Sequence, residues 1–155
     1  MSKPFITTPT IHIAPSVRRG FLRRAWKAYP NEYMEVLMGE RDKKHVYVHL
    51  SVHASQKATP GWVQFTDDVE IEELHKEAKD KGLIVVGSWH THPLSKKEGD
   101  LREVCAHLSF ADHDEGARMK ELVSPVSVLW VNQEGKRVSR TTWWVPQGRI
   151  RVEPE

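Results

Sequence analysis

Two histidines separated by a single residue are the most reactive feature of this 155-residue chain. They lie in the segment GSWHTHP, residues 87–93, which follows a short apolar run. Because alternate residues of a β-strand point to the same face, a strand here would place His90 and His92 side by side. Trp89 and Thr91 would then face the core. Two imidazoles held on a rigid strand are typical zinc ligands.

The pair acquires meaning from three other residues: Glu32 far upstream, and Ser109 and Asp112 in the downstream segment SFAD. With nine histidines in the chain, a His-x-His spacing arises by chance in roughly half of comparable sequences. Two half-exposed strand histidines without a metal are therefore the alternative interpretation. The additional carboxylates and the serine favour a zinc hydrolase site.

Size and composition predict one domain over residues 1–155, with a core at about residues 10–146 and a loosely ordered tail at 147–155. The apolar content of 39% is enough for a sizeable core. No apolar run approaches the roughly 20 residues of a membrane-spanning helix, so we expect no membrane partner. The single cysteine, Cys105, and an N-terminus without a signal-peptide pattern favour the cytoplasm.

The charge distribution argues against a nucleic-acid partner. The formal net charge is only +2, and no aromatic residues that could stack on bases alternate with the basic ones. Five basic residues that lie close together in the first predicted helix are expected to form a solvated face of it. They are Arg18, Arg19, Arg23, Arg24 and Lys27.

The hydrophobic periodicity predicts a mixture of helices and strands. The first helix opens at Pro15 and ends at Pro30, and the second runs from a cap at Asp67 to Gly82. Shorter helices are predicted at 101–108 and 112–122. Strands are predicted at 10–14, 32–39, 46–52, 61–65, 83–89, 126–131 and 138–145. This order indicates an α/β (α+β) protein with one mixed β-sheet flanked by helices.

The candidate residues occur in an order that resembles the JAMM, or MPN-plus, metalloprotease family. The matching elements are Glu32-x6-Gly39, His90-x-His92-Pro93 and Ser109-x-x-Asp112. The resemblance covers roughly residues 10–145, and the chain is similar to compact prokaryotic single-domain members. It implies a cytidine-deaminase-like JAB/MPN architecture.

The resemblance also implies a role for each residue. His90, His92 and Asp112 would bind one zinc ion, leaving the open position of a catalytic zinc site, where water becomes the nucleophile. Glu32 would be the general base, and Ser109 would donate a hydrogen bond to the developing oxyanion. Taken singly, Glu32 could be a surface carboxylate at a strand end, and Ser109 a helix cap.

Two departures from the family pattern bear on these assignments. Sixteen residues separate His92 from Ser109, where the family usually has seven, so residues 94–108 are an insertion that could frame a substrate groove. Asp100 is a rival to Asp112 as the third ligand. Lesser rivals are His107, His113 and Asp114. The second departure is Glu35, where many relatives have Gly, and strand parity predicts that its side chain faces away from that of Glu32.

The family resemblance implies hydrolysis of the bond after the C-terminal tail of a ubiquitin-like modifier or its precursor. A ubiquitin-like protein or its conjugate would then be the substrate. Two alternatives stay open: a zinc endopeptidase of another specificity, phage-associated or acting on cell walls, and a non-catalytic MPN scaffold. Scaffold relatives commonly lack the ligands, so the last is disfavoured by the presence of the full residue set: Glu32, His90, His92, Ser109 and Asp112.

Overall fold

A computed structural model describes residue 5 and residues 8–94, 121–145 and 148–150. Within these ranges the chain forms two α-helices, α1 (Pro15–Ala28) and α2 (Asp68–Asp80), and nine β-strands. The strands are β1 (Thr10–Ile13), β2 (Met34–Arg41), β3 (His45–His53), β4 (Gln56–Thr59), β5 (Trp62–Phe65), β6 (Ile84–Pro93), β7 (Val126–Val131), β8 (Arg137–Val145) and β9 (Gly148–Ile150). No helix in the described ranges is long and apolar enough to span a membrane.

Seven of the strands form one sheet in the order β1-β3-β2-β6-β7-β8-β9, while β4 and β5 form a separate antiparallel hairpin. In the large sheet, β1 is parallel to β3 and β6 is parallel to β7, and all other neighbours are antiparallel. The predicted mixed sheet flanked by helices is therefore confirmed. β2 and β6 lie side by side at its centre.

The two helices cover opposite faces of the sheet. On one face, Phe21 of α1 stacks on Trp89 of β6, with ring centroids 4.1 Å apart. On the other face, Leu74 and Ala78 of α2 pack in the same cluster as Met34 of β2. Alternate residues of β2 and β6 therefore enter two different layers, one beneath α1 and one beneath α2.

Local signals in the sequence account for the helix ends. Pro15 occupies the first turn of α1, where a missing N–H costs nothing. Asp67 caps α2, because its side chain accepts hydrogen bonds from the backbone N–H groups of Val69 and Glu70. Both helices thus begin where the sequence predicts.

Several predicted elements need revision. β4 was not predicted, because its sequence QKAT has little apolar alternation. Gly148–Ile150, within the predicted tail, forms β9 and pairs with β8 through main-chain bonds that require no sequence pattern. Of the predicted helix at 112–122, residues 121 and 122 are not helical; the remainder, and the helix at 101–108, lie outside the described residues.

A buried charged network lies between α1 and the sheet. Glu35 has no solvent exposure, and its carboxylate accepts two hydrogen bonds from Arg24, at 2.6 Å from Nε and 2.9 Å from Nη2. The hydroxyls of Tyr33 and Ser51 also donate to it, at 2.5 and 2.6 Å. The prediction that Arg24 lies on a solvated helix face is therefore wrong, because a buried carboxylate requires a paired cation.

The network also changes the acidity of its members. Burial, followed by the hydrogen bond to Glu35, raises the pKa of the Tyr33 phenol well above its ordinary value. The hydrogen bond to Glu35 raises the pKa of the Arg24 guanidinium. Glu35 lies on the face of β2 beneath α1, so it points away from the Glu32 side, as strand parity predicted.

We expect Arg24→Ala to lower the free energy of unfolding by about 3 kcal/mol, because it leaves the buried Glu35 carboxylate without its cation. This is the lower end of the range for a broken buried pair, since the Tyr33 and Ser51 hydroxyls remain. The exposed Arg23 provides the control, and Arg23→Ala should change stability by less than about 0.5 kcal/mol. Urea denaturation measures both free energies of unfolding. Equal effects of the two substitutions would show that the Arg24–Glu35 pair contributes nothing to stability.

Candidate functional site

His90 and His92 occupy the C-terminal part of β6, which extends further than the sequence predicted. His90 pairs with Met34 of β2 on one side and with Val126 of β7 on the other. It is only 5% exposed, whereas His92 is half-buried. Their Nε2 atoms are 3.1 Å apart and their rings meet edge to face. The side-by-side arrangement expected for a strand is therefore present, on the face opposite α1.

Glu32 is brought to the same end of the sheet by the pairing of β2 with β6. The N–H of Thr91 donates to the carbonyl of Tyr33 at 2.9 Å, which continues the pairing one residue beyond Met34 and His90. Glu32 immediately precedes Tyr33 and is 6% exposed, so a nearly buried glutamate lies at the end of the sheet that carries the two histidines.

The segment that leads into β2 is held by hydrogen bonds to two residues of β4, Thr59 and Gln56. The N–H of Glu32 donates to the carbonyl of Thr59 at 2.9 Å. The side-chain amide of Gln56 accepts from the N–H of Met34 at 3.0 Å and donates to its carbonyl at 2.8 Å. Gln56 therefore replaces a strand neighbour where β3 has ended. Sequence reasoning missed it, because a single glutamine in a polar stretch carries no local signal.

Gly39 of the family pattern and Gly87, three residues before His90, each allow close approach of a neighbouring backbone segment. A Cβ on Gly87 would lie 1.8 Å from the carbonyl oxygen of Val123, and one on Gly39 would lie 1.7 Å from that of Tyr47. Any side chain at position 87 would push β6 away from Val123, and any side chain at position 39 would push β2 away from β3. These glycines therefore belong to the framework of the site.

A second carboxylate lies on the histidine side of β6. Ser88 occupies the same face as His90, two residues earlier, and its hydroxyl donates to Glu121. The hydroxyl of Ser124 donates to the same carboxylate at 2.5 Å. The sequence offered no signal for Glu121, because 33 residues separate it from Ser88. Its negative charge raises the electrostatic preference of this face for cations.

The spacing of the histidines fits a metal ion. Two nitrogen ligands at about 2.0 to 2.1 Å from a tetrahedral zinc lie about 3.3 Å apart, close to the 3.1 Å between the Nε2 atoms of His90 and His92. A hydrogen bond between two imidazoles gives a similar spacing, as His12 and His45 show at 2.8 Å. What distinguishes the first pair is the burial of His90 and the presence of the nearly buried Glu32 at the same end of the sheet.

The remaining predicted site residues lie outside the described residues. They are Ser109 and Asp112, the rivals Asp100, His107, His113 and Asp114, and residues 95–108 of the insertion. Within the part of the chain that the structure describes, no group of three or more side chains could hold a metal ion. The structure thus places the imidazoles of His90 and His92 side by side and Glu32 at the same end of the sheet, and the third ligand stays a prediction.

The chain belongs to the prokaryotic homologs of the JAB domain, whose family model matches residues 14–98. It is also similar to the solution structure of a protein from Desulfitobacterium hafniense, with 19% sequence identity and a TM-score of 0.61. That match covers 94% of this chain and 93% of the other. It shows the fold. No functionally curated protein matches the chain.

Proposed function

We propose that this protein is a zinc-dependent isopeptidase or peptidase that cleaves the bond after the C-terminal tail of a ubiquitin-like modifier or its precursor. The observation that carries the proposal is the convergence of the His90 and His92 Nε2 atoms, 3.1 Å apart, beside the nearly buried Glu32. Membership of the JAB-domain family supports the same chemistry.

His90 and His92, together with Asp112, would hold one zinc ion. Two imidazoles and one carboxylate are the kind of three-ligand set that leaves a coordination position open for catalysis. When bound, zinc lowers the pKa of water toward neutrality and polarises the carbonyl of the scissile bond. The chain itself must supply proton transfer and stabilisation of the oxyanion.

Glu32 is suited to proton transfer. Its neighbour Tyr33 is hydrogen-bonded to Thr91, between the two histidines, and its carboxylate would face the metal without being a ligand. It would accept a proton from the attacking water and deliver it to the leaving amine, so that the carboxylate is restored at the end of the reaction. Ser109 would donate a hydrogen bond to the carbonyl oxygen as negative charge develops there.

The surroundings of Glu32 include a strand edge to which an extended peptide tail would bind. The β4–β5 hairpin is linked to Glu32 through the Thr59 carbonyl and carries Trp62, which is 46% exposed. Among the described strands, β5 pairs only with β4. A modifier tail could add to this edge by main-chain hydrogen bonds, with the insertion after His92 as the opposite wall.

Two other functions use the same residues differently. A zinc endopeptidase of other specificity, phage-associated or acting on cell walls, would keep the chemistry and change only the substrate. A non-catalytic scaffold would need neither a metal nor the Glu32 carboxylate. The convergence of Glu32 with His90 and His92 favours the two enzymatic functions.

We expect the purified protein to contain one zinc ion per chain, and His90→Ala or His92→Ala to weaken zinc binding by at least about 100-fold, because each removes a ligand. His75 lies exposed on α2, so His75→Ala is the matched control and should bind zinc normally. Elemental analysis of protein prepared without chelators, followed by zinc titration, measures both. A metal-free wild-type protein would contradict the proposal.

Glu32→Gln should retain zinc and lose turnover by about 10²- to 10⁴-fold, because the amide cannot accept the proton. Glu40→Gln is the matched control on the same strand, where Glu40 is exposed and paired with His49. The assay is cleavage of modifier conjugates and of fusions extended beyond the modifier tail, each with and without a zinc chelator. Wild-type rates in Glu32→Gln would show that another group is the base.

Asp112→Asn should reduce zinc affinity far more than Asp100→Asn, because only Asp112 has the Ser109-x-x-Asp112 spacing of the family pattern. Both variants replace a carboxylate by an amide and remove one negative charge. Zinc titration against a competing chelator gives the two affinities. The reverse order would move the third ligand into the insertion.

A further inference from the structure

We infer that Thr91 is a positioning residue for the general base, and that its hydroxyl holds Glu32 in register with the two histidines. This inference rests on the proposed function. Thr91 lies between His90 and His92 in β6, is completely buried, and belongs to the opposite face of the strand from theirs. It therefore has no direct access to a substrate or a metal.

The hydroxyl of Thr91 takes part in the main-chain pairing of β2 with β6. In an antiparallel ladder, a hydrogen-bonded pair of residues normally exchanges two bonds between backbone groups. Here the N–H of Thr91 donates to the Tyr33 carbonyl at 2.9 Å, but the N–H of Tyr33 donates to Thr91 Oγ1, also at 2.9 Å. The regular strand pairing has ended one step earlier, at Met34 and His90. The side chain thus extends the pairing to Tyr33.

Tyr33 is held independently at its other end. Its hydroxyl donates to Glu35 at 2.5 Å, and its ring stacks on that of His53 with centroids 5.8 Å apart. With the phenol fixed beneath α1 and the backbone fixed by Thr91, little freedom remains at this residue. Glu32 is the preceding residue in the chain, so a shift of the Tyr33 backbone is transmitted directly to Glu32.

Through Tyr33, the Thr91 hydroxyl therefore links the position of Glu32 to the positions of His90 and His92. A shift of the Tyr33 backbone would move the Glu32 carboxylate relative to His90 and His92, while leaving the spacing within the histidine pair unchanged. Misplacement of a reacting group by about 1 Å can lower turnover by about 100-fold. The effect of losing the hydroxyl should accordingly fall on the chemical step.

The test compares Thr91→Val, which keeps the shape but removes the acceptor, with Thr91→Ser, which keeps the hydroxyl. We expect Thr91→Val to lower kcat by about 10- to 100-fold, with KM and zinc affinity each within about threefold of wild type. Thr91→Ser should restore most of kcat. Thr141→Val is the matched control, because it removes a hydroxyl hydrogen-bonded to Ser127 at 2.7 Å in the β7–β8 pair; it should lower stability without lowering kcat.

Hydrogen exchange at the Tyr33 amide gives a readout that does not depend on turnover. Exchange should be faster in Thr91→Val than in wild type and near normal in Thr91→Ser. Faster exchange with unchanged kcat would overturn the inference, as would a loss of zinc affinity equal to the loss of kcat. Absence of chelator-sensitive cleavage by the wild-type protein would instead overturn the proposed function, and the hydroxyl would then be structural only.

Discussion

The antiparallel pairing of β2 with β6 is the interaction on which the rest of this structure depends. β6 carries the two histidines, and Glu32 lies two residues before the start of β2, almost 60 residues away from them in the chain. The register decides whether the carboxylate meets the imidazoles, because a slip of one residue would turn every side chain to the other face. Most of the other contacts either maintain this register or pack α1 and α2 against the two faces of the sheet.

The two faces of these strands carry out different tasks. Beneath α1, Glu35 is fully buried and is neutralised by Arg24, with hydroxyls of Tyr33 and Ser51 completing its hydrogen bonds. Such a network fixes geometry more than it adds stability, because burying charges costs much of what their attraction returns. On the other face lie the imidazoles of His90 and His92. The buried polar network and the histidine pair are thus separated by the thickness of a single sheet.

Much of the fold could be read from local patterns. The two long helices, their starts at Pro15 and Asp67, and the hairpins of the mixed sheet follow from periodicity and capping. The weak elements, β4 and β9, could not be predicted, because main-chain pairing with a neighbour requires no particular side chains. Arg24 was misassigned for a related reason: an arginine on a basic helix face looks solvated until a buried partner is known.

The sequence by itself determined the chemical types at the site: two histidines two residues apart on a strand, an upstream carboxylate, and glycines at the crowded strand positions. Only the tertiary structure decided that Glu32 lies at the histidine end of the sheet, that Gln56 and Thr91 complete the strand pairing next to it, and that Glu121 joins the histidine face. The physical reason is that residue identity sets what a group can donate or accept. Which groups meet depends on strand register, and register is settled by burial on both faces of the sheet.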